Sequence, residues 1–312
     1  MVHATDPSPT TRPARMRSRP AVLTAARNWV RLVRPVQWSK NAVVLAGVVF
    51  ARMAGEPSQL LHALVALVAF CMISSSMYIF NDWLDMERDR HHPLKRFRPL
   101  ASGAITPRQA LPVSGALAIA SLALAWAVTP ALALIVALYA LLMTTYTLWL
   151  KRIVIIDVFV IAGGFLLRAI AGAVAVDVPI SAWLMLCTVL LALFLGFCKR
   201  RNEMLTLQDT ATLHRDVLRG YTPAILDQFI LLTASTTIMA YAMYTFTSTY
   251  VPENDTMMIT VPIVAFAIFR YLYLVYVRKL GGAPESLLFR DLPLLSAVAL
   301  WGASVLVIFW LQ

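Results

Sequence analysis

The sequence predicts an all-α integral membrane protein with about nine transmembrane helices, on three observations. Hydrophobic residues make up 60% of the 312 and charged residues only 14%, too apolar a balance for a soluble globular domain. The apolar residues gather in runs close to the ~20 residues that a helix needs to cross hydrocarbon. The cations lie between alternate runs: of the 27 Lys and Arg, all but Arg52, Arg168 and Arg270 fall in residues 1–41, 81–108, 151–152, 199–224 and 278–292. Lys and Arg accumulate on the cytoplasmic side of membranes, so these are the inner segments. A multi-pass protein of the inner (plasma) membrane follows, with its N-terminus cytoplasmic and, for an odd number of crossings, its C-terminus outside. The net charge of +11 then reflects topology and contact with anionic membrane lipid, and is no argument for a nucleic-acid partner.

Taken in order, residues 1–33 are expected to be a disordered basic cytoplasmic tail. The first 27 are rich in Pro, Thr, Ser and Arg and contain no uninterrupted apolar core, so they are neither a signal peptide nor a span. Pro35 breaks the chain before the first span, and Lys40 and Asn41 enter its apolar run. That entry reads either as an interfacial anchor, with Trp38 in the belt and Lys40 snorkelling, or as part of a polar site. Spans are expected near 42–56, 60–80, 109–127, 131–150, 153–175, 181–198, 225–246, 257–277 and 293–311. Small residues Ala162, Gly163, Gly164, Ala169, Gly172 and Ala173 let the fifth span pack tightly on its neighbours. Tyr271, Tyr273 and Tyr276 read as an aromatic belt. Cys71, Cys187 and Cys198 are odd in number and sit within or at the ends of apolar helices, which indicates neither a disulfide nor a zinc site.

The chemistry is concentrated between the second and third spans, in Asn81-Asp82-Trp83-Leu84-Asp85-Met86-Glu87-Arg88-Asp89, followed by Lys95-Arg96-Phe97-Arg98-Pro99. At helical spacing Asp82, Asp85 and Asp89 fall at i, i+3 and i+7, on one face. Carboxylates a turn apart repel one another unless a cation lies between them. Mg²⁺ is held by one or two carboxylates together with substrate phosphate oxygens, while Arg and Lys take up the remaining phosphate charge. Acidic and basic runs in succession at a membrane surface therefore suit a metal-bound diphosphate. A solvated acidic helix start after an Asn cap is the plainer alternative.

Other polar residues stand where apolar ones belong. Lys151 and Arg152 by themselves are ordinary positive-inside residues, but Asp157 and Arg168 lie within a span, where an ionisable group costs several kcal/mol unless it has a partner or a wet cavity. Eleven residues is close to three helical turns, so the two point the same way, with Arg168 roughly 16 Å deeper. They either line a polar pocket or make interhelical ion pairs. Lys199-Arg200-Arg201-Asn202-Glu203 after the sixth span either anchors to lipid headgroups or completes the acidic site. His91 and His92 are set aside, because Mg²⁺ prefers oxygen ligands. The segment from Gly281 to Asp291 combines turn residues with a mixed-charge run and has no evident chemistry of its own. A transporter is disfavoured: broken helices in inverted repeats are not evident, and the acidic cluster stands between spans rather than at mid-membrane.

Asn81, Asp82, Asp85 and Asp89 match in full the NDxxDxxxD signature of the UbiA-type membrane prenyltransferase superfamily, which the chain resembles from Arg34 to its last helix. Arg34-Pro35-x-Gln37-Trp38-x-Lys40-Asn41, Leu166 to Gly172, Gly282-x-Pro284-Glu285 and Arg290-Asp291 support the resemblance, and Lys95-Arg96-Phe97-Arg98-Pro99 and Lys199-Arg200 with Glu203 direct it toward its decaprenyl-phosphate phosphoribosyltransferases. The resemblance implies that residues 34–312 are one UbiA-like transmembrane catalytic domain, a nine-helix bundle around a cavity open to cytosol and laterally to lipid. It implies Mg²⁺-dependent transfer of a 5-phosphoribosyl group from 5-phosphoribosyl-1-diphosphate to a polyprenyl (decaprenyl) phosphate, with loss of diphosphate. Asp82, Asp85 and Asp89 would be the metal-binding and catalytic residues, with Asn81 orienting them. Lys95, Arg96 and Arg98 would meet donor phosphates. Lys40, Asn41, Lys151, Arg168, Lys199, Arg200 and Glu203 complete the substrate-binding set, with Lys40, Arg168, Lys199 and Arg200 directed at the second phosphate. Prenyl transfer from a polyprenyl diphosphate to an aromatic acceptor is the alternative. Aromatic prenyltransferases usually carry a second aspartate-rich motif, and 199–210 offers only Glu203 and Asp209. A homo-oligomer is compatible with the sequence.

Overall fold

The computed structural model describes residues 21–50, 55–207, 216–248, 251, 254–282 and 284–311. Residues 1–20 of the expected tail, and also Arg52 and Asp209, lie outside them. Helix α1, Ala21–Val33, is followed by a 3-10 segment, Pro35–Leu45, and by α2, Ala46–Phe50. Then come α3 (Pro57–Leu84), α4 (Met86–Arg90), α5 (Pro107–Val128), α6 (Pro130–Leu148), α7 (Ile156–Ala175) and α8 (Ala182–Leu207). The chain closes with α9 (Pro223–Thr247), α10 (Val261–Tyr276), α11 (Pro284–Arg290) and α12 (Leu292–Trp310). Among the described residues, eight helices are long and apolar enough to cross a membrane: α3, α5 to α9, α10 with the 3-10 turn before it, and α12.

Helix starts are fixed by a polar cap followed by proline, whose missing N–H costs nothing in a first turn. Thr129, Thr222 and Asp291 accept the amides of Leu132, Ile225 and Leu294 at 3.0, 3.2 and 2.9 Å, ahead of Pro130, Pro223 and Pro293. Before Pro107, the Gln109 side chain instead accepts the Thr106 amide at 3.0 Å. Between helices, where lipid tails supply no hydrophobic drive, serines and glycines do the joining. Ser76 and Ser114 each donate to the other's carbonyl at 2.8 and 3.0 Å, and Ser121 donates to Ala69 at 2.7 Å, tying α5 to α3.

The two largest apolar clusters among the described residues lie on either side of α7. One gathers Phe70, Ile73, Leu132, Val136 and Ala171 from α3, α6 and α7. The other gathers Val158, Phe194, Leu226, Ile230 and Tyr271 from α7 to α10. Helix α7 contributes to both and joins the two halves.

The first expected span, 42–56, takes a different form. Its described part is the 3-10 segment and α2, lying against α7 and α3. Arg34 reaches Asp82 near the end of α3, while Val48 packs with Ala63 near its start and with Val176. At ~2.0 Å rise per 3-10 residue and ~1.5 Å per α residue, Pro35–Phe50 extends roughly 30 Å. Residues 21–33 are not disordered tail: they form α1, held by Leu32, which is buried against Ile79, Leu100 and Ile105 with Trp29 alongside. An apolar stripe at helical spacing near the end of a Pro-rich segment was enough to fix it.

Candidate active site

Helix α3 runs past the expected end of its span at residue 80, so Asn81 and Asp82 occupy its last turn. The helix breaks at Asp85, at φ −90° and ψ 2°, and α4 restarts at Met86. This break divides the acidic triad that an unbroken helix would keep on one face. Asp82 and Asp89, both buried, converge on Arg98, whose Nη1 lies 3.0 Å from Asp82 Oδ1 and 2.6 Å from Asp89 Oδ2. Asp85 turns instead to Lys151 in the connection between α6 and α7, at 2.8 Å. Arg34 Nη2 donates to both oxygens of Asp82 at 2.6 and 2.7 Å, and its guanidinium lies over the Tyr78 ring, 5.0 Å from the centroid.

Each carboxylate is thus met by a cation from another segment. Burial pushes the Asp89 carboxyl above its ordinary range, against the opposing pull of Arg98 and Lys95. The loop that carries those cations is shaped by buried His92, whose Nδ1 accepts the amides of Leu94 and Lys95 at 3.1 and 3.3 Å. Arg96 turns away and stacks on exposed Phe97. The Asn81 carbonyl accepts the Asp85 amide at 2.9 Å, an ordinary helical bond that carries α3 up to the break.

Among the described residues, no three His, Cys, Asp or Glu side chains form a ready metal cage. Mg²⁺ does not ask for one, since it takes one or two carboxylates and completes its shell with water and phosphate. Asp82 and Asp89 already aim oxygens at one positively charged group, the Arg98 guanidinium, so the donor set fits a cation at that point.

Asp157 and Arg168 share α7 but not a partner. Asp157, fully buried, pairs with Arg200 of α8 at 2.8 Å and accepts from the Tyr221 hydroxyl at 2.9 Å. The same hydroxyl accepts the amide of Ile155 at 2.7 Å. Ile155 has φ 69°, a region that β-branched residues avoid. Burial and neighbouring Asp157 push the Tyr221 phenol upward. Arg200, 1% exposed, also binds Glu203. Arg200, expected to meet the second phosphate, and Glu203, expected in the substrate-binding set, thus lie together with Asp157 in an internal ion-pair cluster.

Arg168, deeper in the bundle, is 4% exposed. It donates to Asn41 Oδ1 at 2.7 Å, to the Gly164 carbonyl at 2.9 Å and to the Tyr139 hydroxyl at 2.8 Å, with Tyr139 and Phe165 rings alongside. Fully buried Asn41 donates in turn to Ser74 at 3.2 Å. These two expected substrate ligands bind each other and clip the 3-10 segment to α7 and α3. Lys40 and Lys199 are partly exposed. Arg34 was missed as a site residue: it stands 48 positions from Asp82, and Pro35 beside it reads first as a helix breaker.

A polytopic helical bundle with an acidic motif interleaved with cations at one end defines a membrane-embedded enzyme of UbiA type. The pattern of the UbiA prenyltransferase family matches residues 42–292, and the chain belongs to that family. It is a membrane-embedded transferase of that superfamily. It is similar to the decaprenyl-phosphate phosphoribosyltransferase of Mycolicibacterium smegmatis, 34% identical over 84% of this chain and 86% of that one. The enzyme of the same name from Mycobacterium tuberculosis is 34% identical over 88% of this chain and 92% of its own length. In fold it is similar to a UbiA homolog from Archaeoglobus fulgidus bound to DMAPP and Mg²⁺, with a TM-score of 0.70, 19% identity, and coverage of 91% of this chain and 100% of that one.

Proposed function

We propose that the chain transfers a 5-phosphoribosyl group from 5-phosphoribosyl-1-diphosphate to a polyprenyl phosphate such as decaprenyl phosphate, with Mg²⁺ and with release of diphosphate. The observation that carries this reading is the pairing of Asp82, Asp85 and Asp89 with Arg34, Arg98 and Lys151, an alternation of charge suited to a metal-bound diphosphate. Similarity to relatives named for phosphoribosyl transfer supports the donor. The engagement of Glu203 with Arg200 supports it too, since this leaves no described second acidic motif of the kind aromatic prenyl transfer uses.

Asp82, Asp85 and Asp89 would hold Mg²⁺, which when bound neutralises charge developing on the diphosphate leaving group. Arg34, Arg98 and Lys151 lie within ion-pair distance of those carboxylates and are proposed to meet the diphosphate oxygens. A guanidinium fork suits adjacent phosphate oxygens in two-point contact. Lys95 extends this cationic wall, and Arg96, which faces outward, is proposed to meet the donor only as it enters. Asn81, in the last turn of α3, is proposed to orient the acidic cluster. Lys40 and Lys199 are proposed contacts for the second phosphate, on the sugar or the lipid. The attacking lipid phosphate is already ionised, so no side chain has to remove a proton. Asn41 and Arg168 act at one remove, by seating the 3-10 segment.

We take the segment Pro35–Phe50 as the ninth crossing of a plasma-membrane protein, with the acidic end and the N-terminus cytoplasmic and the cavity opening to that side. Residues 34–312 then form one catalytic domain. The test is transfer of radiolabel from 5-phosphoribosyl-1-diphosphate to decaprenyl phosphate by purified protein in detergent. The expected result is a labelled lipid that requires Mg²⁺ and disappears with EDTA. No labelled lipid, with turnover of a prenyl diphosphate and an aromatic acceptor instead, would replace this reading with prenyl transfer.

A further inference from the structure

Arg34 has an unusual backbone. Its φ of 57° and ψ of 59° place a long-chained residue in the left-handed region directly before Pro35. Such conformations are strained and persist where the surroundings impose them, often at functional sites. Here the surroundings are an 11-residue 3-10 helix, far longer than the few residues usual for that form. It is held by Trp38 Nε1 donating to Ser75 at 3.0 Å, by Asn41 on Arg168, and by Ser75 donating to the Val33 carbonyl at 2.9 Å. The result is a guanidinium whose side chain is 22% exposed and that grips both oxygens of an Asp82 side chain only 2% exposed. One end of the ion pair is partly exposed while the other is enclosed.

Charge counting around this pair has a consequence. Asp82 and Asp89 face Arg34 and Arg98, two carboxylates against two guanidiniums, and Asp82 Oδ1 touches both cations. A divalent cation arriving alone must displace a guanidinium from Asp82 and leave it, still charged, beside the metal. Like charges at such range repel strongly wherever water is partly excluded. A diphosphate arriving with the metal supplies anionic oxygens for the displaced guanidiniums and restores the balance. We propose that Arg34 is a guard on Asp82 that is handed to the donor's diphosphate when the metal binds, so that this site takes up divalent cation and diphosphate only as a pair. This deepens the donor-site reading above and rests on it.

The test is equilibrium dialysis of radioactive Mn²⁺ against the full chain in detergent, with and without inorganic diphosphate. It compares wild type with Arg34→Ala, Arg98→Gln and Asp82→Asn. Complexation of Mn²⁺ by free diphosphate is the same for every variant and cancels between variants, and the two conditions are compared at equal free Mn²⁺. Wild type is expected to take up Mn²⁺ weakly alone and at least about 10-fold more tightly with diphosphate, and Asp82→Asn to lose that uptake. Arg34→Ala is expected to bind Mn²⁺ alone about 10-fold more tightly than wild type and to lose most of the gain from diphosphate. Arg98→Gln should shift the same way and serves if Arg34→Ala does not fold. Wild-type uptake that depends on diphosphate, with both Arg variants indistinguishable from wild type, overturns the guard and leaves the donor site standing. Wild type that takes up no Mn²⁺ in either condition overturns the donor site and the guard together.

Discussion

The carboxylates of the acidic motif are not equivalent. Asp82 is buried and meets two guanidiniums, whereas the Asp85 side chain is 24% exposed and meets one Lys. Replacing Asp82 with Asn removes charge where it is least screened, and we expect transfer to fall on the order of 100-fold or more while membrane insertion is kept. Near-normal turnover by purified Asp82→Asn would remove the metal site. Asp157 stands apart from that motif, fully buried and paired with Arg200. Its loss leaves Arg200 buried with Glu203 alone, and breaking a buried pair from one side costs about 3 kcal/mol or more. Asp157→Ala should therefore lower the recovery and thermal midpoint of folded protein, and the double variant Asp157→Leu/Arg200→Met should regain much of both. A double variant no better than the single would show that Arg200 is not what the lone substitution strands. Asp291 is a third case: the hydrogen bond from Arg270 holds its carboxyl below the usual range, and it also caps α12. With the folded value below the unfolded one, near 3.9, its contribution is whole above that pH and is lost as pH falls through the folded value. Asn caps helices as well as Asp does. The gap in thermal midpoint between wild type and Asp291→Asn should thus be steady from pH 8 to pH 5 and close in stronger acid.

At the scale of elements, the long helices were legible because an apolar run of about 20 residues has few other uses. The 3-10 segment was not, since Ala42 to Val49 is as apolar as any span and hydropathy carries no mark of helical rise. Its mark lies in glycine. A Cβ on Gly172 would meet the Val44 carbonyl oxygen at 1.9 Å, and one on Gly47 would meet the Gly172 backbone at 2.5 Å, so two backbones touch where side chains normally intervene. The acidic motif was legible as chemistry and not as geometry, because nothing local announces the break at Asp85 or the partners that Arg34 and Lys151 bring from far along the chain. Gly172→Ala should lift the 3-10 segment from α7, loosen the grip of Asn41 on Arg168 and cost more than about 2 kcal/mol, with loss of activity. Gly163 lies on the same helix, but its added Cβ would meet nothing nearer than a Leu142 methyl at 3.5 Å. Gly163→Ala should be neutral or should stabilise by up to about 1 kcal/mol through helix propensity. The two alanines, compared by thermal unfolding in detergent, separate close backbone contact from a general intolerance of α7.

Over the whole molecule, polar contacts trace one end of the bundle. Arg34 joins Asp82, Lys151 joins Asp85, Tyr221 and Arg200 join Asp157, Arg201 joins Asp227, and Asn202 donates to the Lys279 carbonyl at 3.0 Å. The loops that carry most of the described cations therefore gather at the acidic end, as the alternation of charge along the sequence implies. The opposite end is poor in cations: the described turn before α3 is Gly55 and Glu56, and the described residues near Thr256 include Asn254 and Asp255. By the positive-inside rule we expect the acidic end to face the cytoplasm, which is also where a phosphorylated sugar donor would be met. Single cysteines at exposed positions can test this without reference to activity. Arg96, stacked on Phe97 beside the acidic motif, and Glu56, at the far end of α3, are both exposed, and labelling them requires no turnover. With Cys71, Cys187 and Cys198 replaced by Ala or Ser, Arg96→Cys should resist a membrane-impermeant maleimide in intact cells and react once the membrane is opened. Glu56→Cys should react in intact cells. The reverse pattern would turn the molecule over and place the acidic motif outside. Labelling of both positions in intact cells would mean that the two ends of α3 lie on one side, and α3 would then not be a span.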